Sequence, residues 1–267
     1  MHRIPRLLSI AGSDPSGGAG AQADIKTFSA FGCYGMAAIT ALTAQNTRGV
    51  TAVWPVAPEA VSAQIAAVMT DIPPDAVKIG MIATPEIAAA VAAALGPAAR
   101  NVVLDPVLIP TQGVSLAAAG LEAALRATLL PLARLVTPNI HEAAALTGTA
   151  QAVDVAAMTA QASMLIEAGA KAVLVKGGDL SGEPVDVLVA DGETRIFHGR
   201  RVETRHTHGT GCALSSAIAA ELAKGAGLID AIATAKPWLE GALAAAEALQ
   251  LGEGRGPPHH FHASSSF

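Results

Sequence analysis

A chain of 267 residues, 51% hydrophobic but only 3% aromatic, can bury a large core and must fill it with Ala, Val, Leu and Ile. A net charge of −5 argues against a general nucleic-acid binder and leaves small molecules as the expected partners. Two distant cysteines, Cys33 and Cys212, exclude a disulfide framework or a four-cysteine zinc site and fit a reducing cytoplasm.

Residues 7–11 read as a short buried strand. Arg3 and Arg6 precede it, but Ser13-Asp14-Pro15 cuts the apolar run too short for a signal-peptide core, and no run reaches the ~18 residues of a membrane span. A loop over 12–18 then leads into a helix through Gln22, Ile25, Phe28 and Phe31. Gly18-x-Gly20-x-x-Ala23 formally matches a dinucleotide fingerprint, but six loop residues with a proline separate it from the strand, so a loop shaping some other pocket is preferred.

Residues 35–42 form a β-capable run that ends in the polar group 43–47, which reads either as ligand contacts at a strand end or as a solvated turn. A strand at 51–56 and a helix at 59–69 follow, then a strand at 77–79 running into Gly80-Met81. Thr84-Pro85-Glu86 is a helix start with Thr as cap and Pro at the first position. Residues 101–104 predict a strand ending at Asp105, 116–130 a helix, 135–137 a strand, and Pro138-Asn139-Ile140-His141-Glu142 the start of a helix to 146. A helix at 154–168, a strand at 172–175 ending in Lys176-Gly177-Gly178, and an antiparallel pair at 186–190 and 194–198 come next. Residues 228–249 read as one long helix kinked or broken at Pro237, and 252–267 as a loop-like surface tail whose His259, His260 and His262 only weakly suggest a metal. Strand–helix alternation implies a single α/β domain over 1–267, with a mostly parallel sheet between helical layers.

Between the antiparallel pair and the long helix lies His206-Thr207-His208-Gly209-Thr210-Gly211-Cys212, a loop feeding a helix. The unpaired N–H groups and positive dipole end of that helix could receive a phosphate, with Gly209 and Gly211 letting it approach; a plain tight turn is the alternative. Cys212 in that field is expected to favour thiolate and to take a proton from an alcohol. A Cys/His nucleophile pair is a further reading.

Asp105, Glu142, Lys176, Gly211 and Cys212 all fall where a strand ends or a helix begins, on one rim of such a sheet. Individually they have plain readings: Asn139-x-x-Glu142 is a capping-box pattern, and Asp105-Pro and Lys176-Gly-Gly can be turns. Together, two acids to hold Mg²⁺, one amine and an anion hole suit phosphoryl transfer, without a Walker-type loop.

The motifs Gly12-Ser13-Asp14-Pro15-Ser16-Gly17-Gly18-Ala19-Gly20, Thr40 to Thr47, Lys78-Ile79-Gly80-Met81, Asp105-Pro106-Val107, Thr137-Pro138-Asn139, Val175-Lys176-Gly177-Gly178, Thr207 to Cys212 and the tail from Gly256 closely resemble the hydroxymethylpyrimidine kinase / phosphomethylpyrimidine kinase family of thiamine biosynthesis, in the same order, from about Arg3 to His262. The resemblance implies a ribokinase-like three-layer α/β/α fold and ATP- and Mg²⁺-dependent phosphorylation of 4-amino-5-hydroxymethyl-2-methylpyrimidine and then of its monophosphate. It implies that Gly12, Asp24, Thr43, Gln45 and Met81 surround the pyrimidine, that Cys212 is the base beside Gly209 and Gly211, that Asp105 and Glu142 serve metal and phosphate, and that Lys176 serves phosphate or nucleotide.

The Gln45 amide, with one donor and one acceptor, independently suits an aminopyrimidine edge, and Met81 suits a ring face. Where the family usually has Lys-Ser-Gly, this chain has Pro110-Thr111-Gln112-Gly113, which removes a cationic loop and bears on the second phosphorylation. A homodimer is expected. The rival readings are a pyridoxal or pyridoxine kinase on the same fold, a non-catalytic pyrimidine-binding protein and a thiol hydrolase using Cys212.

Overall fold

The computed structural model describes residues 3–108 and 118–264. The Pro110–Gly113 departure, and the first two residues of the helix expected from 116, lie outside them.

Among the described residues nine strands form one sheet: β1 Arg6–Ser13, β2 Tyr34–Asn46, β3 Gly49–Pro55, β4 Ala76–Ile79, β5 Val102–Leu104, β6 Leu135–Val136, β7 Ala172–Lys176, β8 Val185–Ala190 and β9 Glu193–His198. The spatial order is β3-β2-β1-β4-β5-β6-β7-β8-β9, with a parallel core from β2 to β7 and antiparallel strands at both edges. The eight α-helices among the described residues are α1 Gly20–Ala30, α2 Pro58–Asp71, α3 Pro85–Leu95, α4 Leu121–Ala124, α5 Ile140–Thr147, α6 Val155–Glu167, α7 Thr210–Ala223 and α8 Leu228–Ala244.

Strand residues alternate between two cores. Leu7, Ala76 and Val103 pack with Phe28 of α1, Ala217 of α7 and Ile232 of α8, while Leu8, Val77 and Leu104 pack with Ile65, Ile87, Ile140 and Met158 of α2, α3, α5 and α6. Both faces are therefore covered, which is why the central strands are almost purely aliphatic and the fold needs few aromatics.

Several expectations change. The polar group after residue 42 is not a solvated turn: β2 runs on to Asn46, and Leu42, Thr43 and Ala44 pair with Trp54, Val53 and Ala52 of β3. The helix expected over 116–130 begins only at Leu121, after Gly120 at φ 83°. It then loosens into a π turn over Leu125–Leu129 and a 3₁₀ turn over Leu130–Leu132, where Pro131 cannot supply a helical N–H. The helix of residues 228–249 passes through Pro237 but stops at Ala244, before a separate 3₁₀ turn.

The tail is irregular, as expected, but it is not a surface segment. Gly256–Pro258 and His260 are buried, His262 stacks 5.8 Å from Trp238, and burial holds the His260 imidazolium form down to a pKa of about 4. Arg255 N–H reaches the Thr47 carbonyl (2.8 Å) and the Gly256 carbonyl accepts from His208 N–H (3.1 Å), so the tail ties the β2–β3 turn to the loop before α7. No helix among the described residues is long and apolar enough to cross a membrane.

Because β1 sits between β2 and β4, successive connections leave it in opposite directions. A crevice opens at the carboxyl ends of the strands, and the N-terminus of α7 points into it.

Candidate active site

The α7 N-terminus has the geometry its sequence suggested. Gly209 is the N-cap at φ 78°, and a Cβ there would lie 1.9 Å from the Gly18 carbonyl oxygen, so no other residue fits. The first helical bond is Ala213 N–H to Gly209 C=O (2.9 Å), which leaves the Gly211 and Cys212 N–H groups for a ligand. A Cβ on Gly211 would stand 3.1 Å from Lys176 Nζ and 3.6 Å from Asp105 Oδ2, so the anion hole opens directly onto those charges.

Lys176, at the end of β7, donates to Asp105 Oδ1 (2.7 Å), and Thr137 Oγ1 donates to the same oxygen (3.2 Å). Burial would raise the Asp105 pKa, but Lys176 and Lys78 outweigh it and hold the carboxyl below its usual range. Burial would likewise depress Lys176, and Asp105 with Glu142 holds it above normal. The capping-box reading of Glu142 holds. It closes the capping box with Asn139, with reciprocal bonds of 2.8 Å, and it lines the cavity. Burial, helped by the Asp105 charge against the pull of Lys176, raises its carboxyl to about 7.

Two expectations need correction. Cys212 lines the cavity, but burial pushes its thiol up to about 11 despite Lys78 and the Gly20 N–H that reaches its sulfur, so it is not a resting thiolate. The helix terminus is outweighed by desolvation. Asp24 does not face a ligand: it is fully buried under the crevice, bonded to Lys78 Nζ (2.8 and 3.0 Å), Ser9 Oγ (2.6 Å) and Ser216 Oγ (2.8 Å). Lys78 explains this. A lysine inside a strand covered on both faces needs a carboxylate, and that signal was present in Ala76-Val77-Lys78-Ile79.

Of the other residues expected around a pyrimidine, Gln45 lines the cavity. Gly12, Thr43 and Met81 are outside its lining: Gly12 packs on Met81, since a Cβ would lie 2.8 Å from Met81 Sδ, and Thr43 Oγ1 donates to the Ser13 carbonyl (2.9 Å). The Cys/His pair and the thiol hydrolase built on it find no support. His206 Nε2 is held by Glu247 (2.8 Å), and His208 Nε2 by Asp14 (2.8 Å).

Two cavities meet at this point. The smaller, about 180 Å³, is bounded by Gln45, Asp105, Glu142 and Cys212; the larger, about 350 Å³, by Asp186, Arg200, Arg201 and Lys236. Asn139, Lys176, Thr207, Thr210, Gly211 and Arg255 line both. A group can thus pass between a ligand in one and a ligand in the other across the α7 N-terminus. Sequence reasoning missed Asn139 as a wall, Arg255, and the Asp14–His208 contact, each of which depends on pieces distant in the chain.

Residues 14–259 match the profile of the phosphomethylpyrimidine kinase family. The chain is 55% identical to the hydroxymethylpyrimidine/phosphomethylpyrimidine kinase of Rhizobium meliloti over 96% of each chain. Among solved structures it resembles phosphomethylpyrimidine kinase from Clostridium difficile 630 (42% identity, TM-score 0.78, covering 92% of this chain and 100% of the other). It also resembles pyridoxal kinase from Staphylococcus aureus in complex with AMP-PCP and pyridoxal (30% identity, TM-score 0.89, covering 99% and 96%). These neighbours share the ribokinase-like α/β architecture expected from the motifs, and the pyridoxal kinase is a neighbour in fold.

Proposed function

The chain belongs to the phosphomethylpyrimidine kinase family and is a kinase, and from that premise we propose that it phosphorylates the hydroxymethyl oxygen of 4-amino-5-hydroxymethyl-2-methylpyrimidine, and then the resulting monophosphate, in thiamine biosynthesis. The observation that carries this reading is the shared wall of the two cavities. The smaller takes the pyrimidine beside Gln45 and Cys212, the larger takes ATP beside Arg200, Arg201 and Lys236, and the γ-phosphoryl crosses at Gly211 and Lys176.

Lys176 and the Gly211 and Cys212 N–H groups balance charge on the moving phosphoryl group. Cys212 receives the alcohol proton once its thiol is ionised, with the Gly20 N–H and Lys78 stabilising the sulfur charge. Asp105 fits a hard cation: Lys176 and Thr137 occupy Oδ1, while no donor among the described residues reaches Oδ2. Asp105, with Glu142 on the wall of the same cavity, would hold Mg²⁺ directly or through water, and Mg²⁺ would supply charge neutralisation on the nucleotide phosphates. A homodimer is supported by the exposed pair Leu42 and Trp54, which face each other on β2 and β3, and a cytoplasmic setting by two free cysteines.

The test is phosphate transfer from ATP and Mg²⁺ to hydroxymethylpyrimidine, its monophosphate and pyridoxine. Both pyrimidines should be phosphorylated faster than pyridoxine; preference for pyridoxine would overturn the reading. Gln45→Ala should raise KM for the pyrimidine roughly tenfold with a smaller change in kcat, because it removes a paired donor and acceptor.

A further inference from the structure

Arg255 lines both cavities and has no part in the reaction described above. Its main chain is pinned from two sides. Arg255 N–H donates to the Thr47 carbonyl (2.8 Å), Gly256 N–H to His206 Nδ1 (3.1 Å), and the Gly256 carbonyl accepts from His208 N–H (3.1 Å). The glycines on either side are closely packed: a Cβ on Gly254 would lie 2.1 Å from the Thr47 carbonyl oxygen, and one on Gly256 2.4 Å from His206 Nδ1. The Arg255 backbone is therefore a fixed point on the wall where the cavities meet.

The guanidinium, by contrast, is uncommitted. No hydrogen bond or ion pair joins it to the described residues, and Glu253, the nearest acid in sequence, pairs with Arg48. The other lysines and arginines of the crevice are engaged or confined to one side. Arg200, Arg201 and Lys236 border the larger cavity but not the smaller; Arg201 donates to the Gly178, Leu180 and Gly182 carbonyls, and Lys236 to Asp186. Lys176 borders both cavities but donates to Asp105 (2.7 Å). Residues 109–117 contain no lysine or arginine.

The two phosphorylations make different demands on such a group. The first acceptor is a neutral alcohol, so positive charge is needed only for the nucleotide phosphates and the moving phosphoryl. The second acceptor is a phosphate dianion, which must approach a nucleotide of the same sign inside a cavity already walled by Asp105 and Glu142. A further cation, not already paired, has to face that side.

We propose that Arg255 binds the phosphate of the pyrimidine monophosphate and is a specificity-determining residue for the second phosphorylation. The inference rests on the reading that the pyrimidine occupies the smaller cavity with its hydroxymethyl group toward Gly211. The phosphate of the monophosphate then stands at the shared wall, where a planar guanidinium can hold two of its free oxygens. The third forms the new bond to the γ-phosphorus as the bond to the ADP oxygen breaks; a dianionic acceptor has no proton to lose.

The test compares kcat/KM for the alcohol and for the monophosphate, at saturating ATP and Mg²⁺, in the full-length protein, in Arg255→Gln and in Arg255→Lys. Arg255→Gln should lower kcat/KM for the monophosphate roughly 10- to 100-fold, mainly through KM, and that for the alcohol by no more than about threefold, because the lost bonds are charge-assisted and form only with the phosphorylated acceptor. Arg255→Lys should recover part of the loss, since it keeps the charge without the two-pronged geometry. Equal losses for the two acceptors, or none for the monophosphate, would overturn the proposal and leave the functional reading standing. No phosphorylation of either pyrimidine by the unaltered protein would overturn both. Independently of turnover, calorimetric titration with the monophosphate in the absence of nucleotide should show weaker binding in Arg255→Gln by a similar factor; the same affinity in both proteins would overturn the proposal.

Discussion

Two of the buried lysine–aspartate pairs near the α7 N-terminus differ in how far their bonding is complete. Lys78 and Asp24 are both fully buried, and both carboxylate oxygens are occupied by Lys78, Ser9 and Ser216. Lys176 and Asp105 are 13% and 2% exposed, only one Asp105 oxygen is bonded among the described residues, and the pair opens onto both halves of the crevice through Lys176. The closed pair is complete and therefore structural. The open pair has bonding capacity left over, which suits a site that must bind charge arriving from outside.

The sharpest way to break that comparison is to neutralise each lysine. Lys78→Met leaves Asp24 charged in a dry interior and should cost roughly 3 to 5 kcal/mol of stability, measured by denaturant unfolding. Lys176→Met should cost less stability and abolish most turnover; equal stability losses would erase the distinction.

Next in size is Cys212→Ala, which should retain pyrimidine binding in calorimetry and lose roughly 10²- to 10⁴-fold in kcat, the range for a general base. A thiol at about 11 is ionised in only a small fraction at neutral pH. Between pH 7 and 9, kcat/KM of the unaltered protein should therefore climb by up to about tenfold per unit, and that of Cys212→Ala should stay flat. A flat profile in both would remove the base assignment.

The smallest effect concerns Glu142. Its folded pKa of about 7 exceeds the 4.5 of a free glutamate, so the folded state holds the extra proton and stability falls as pH rises through 4.5 to 7. Glu142→Gln keeps an acceptor for Asn139 N–H without the charge. It should be more stable than the unaltered protein above pH 7, by up to about 3 kcal/mol in thermal unfolding, and indistinguishable below pH 4.

Much of this site was legible because its parts obey local rules. Thr84 caps α3 and Asn139 caps α5 as their sequences require, and Gly209 sits where a positive φ is needed. Asp105 and Lys176 were found because strand ends on one rim converge whatever the packing behind them. Asp24 was misplaced because its neighbour Lys78 is 54 residues away, and no local pattern says which carboxylate a buried lysine takes. The tail was misread for a related reason: Gly256 and His260 are polar or small in sequence, and only the pieces they dock on, His206, His208 and α8, make them interior.

Local periodicity and capping residues by themselves determined the alternation of strand and helix and the gathering of polar residues on one rim, and the ordered motifs carried the resemblance to the kinase family. Tertiary structure alone decided which charges are closed off and which stay open, that the Cys212 thiol is protonated at rest, and that His208 reaches Asp14 and Gln45. Desolvation and hydrogen-bond saturation depend on every atom packed around a group, and those atoms come from segments up to 194 residues apart.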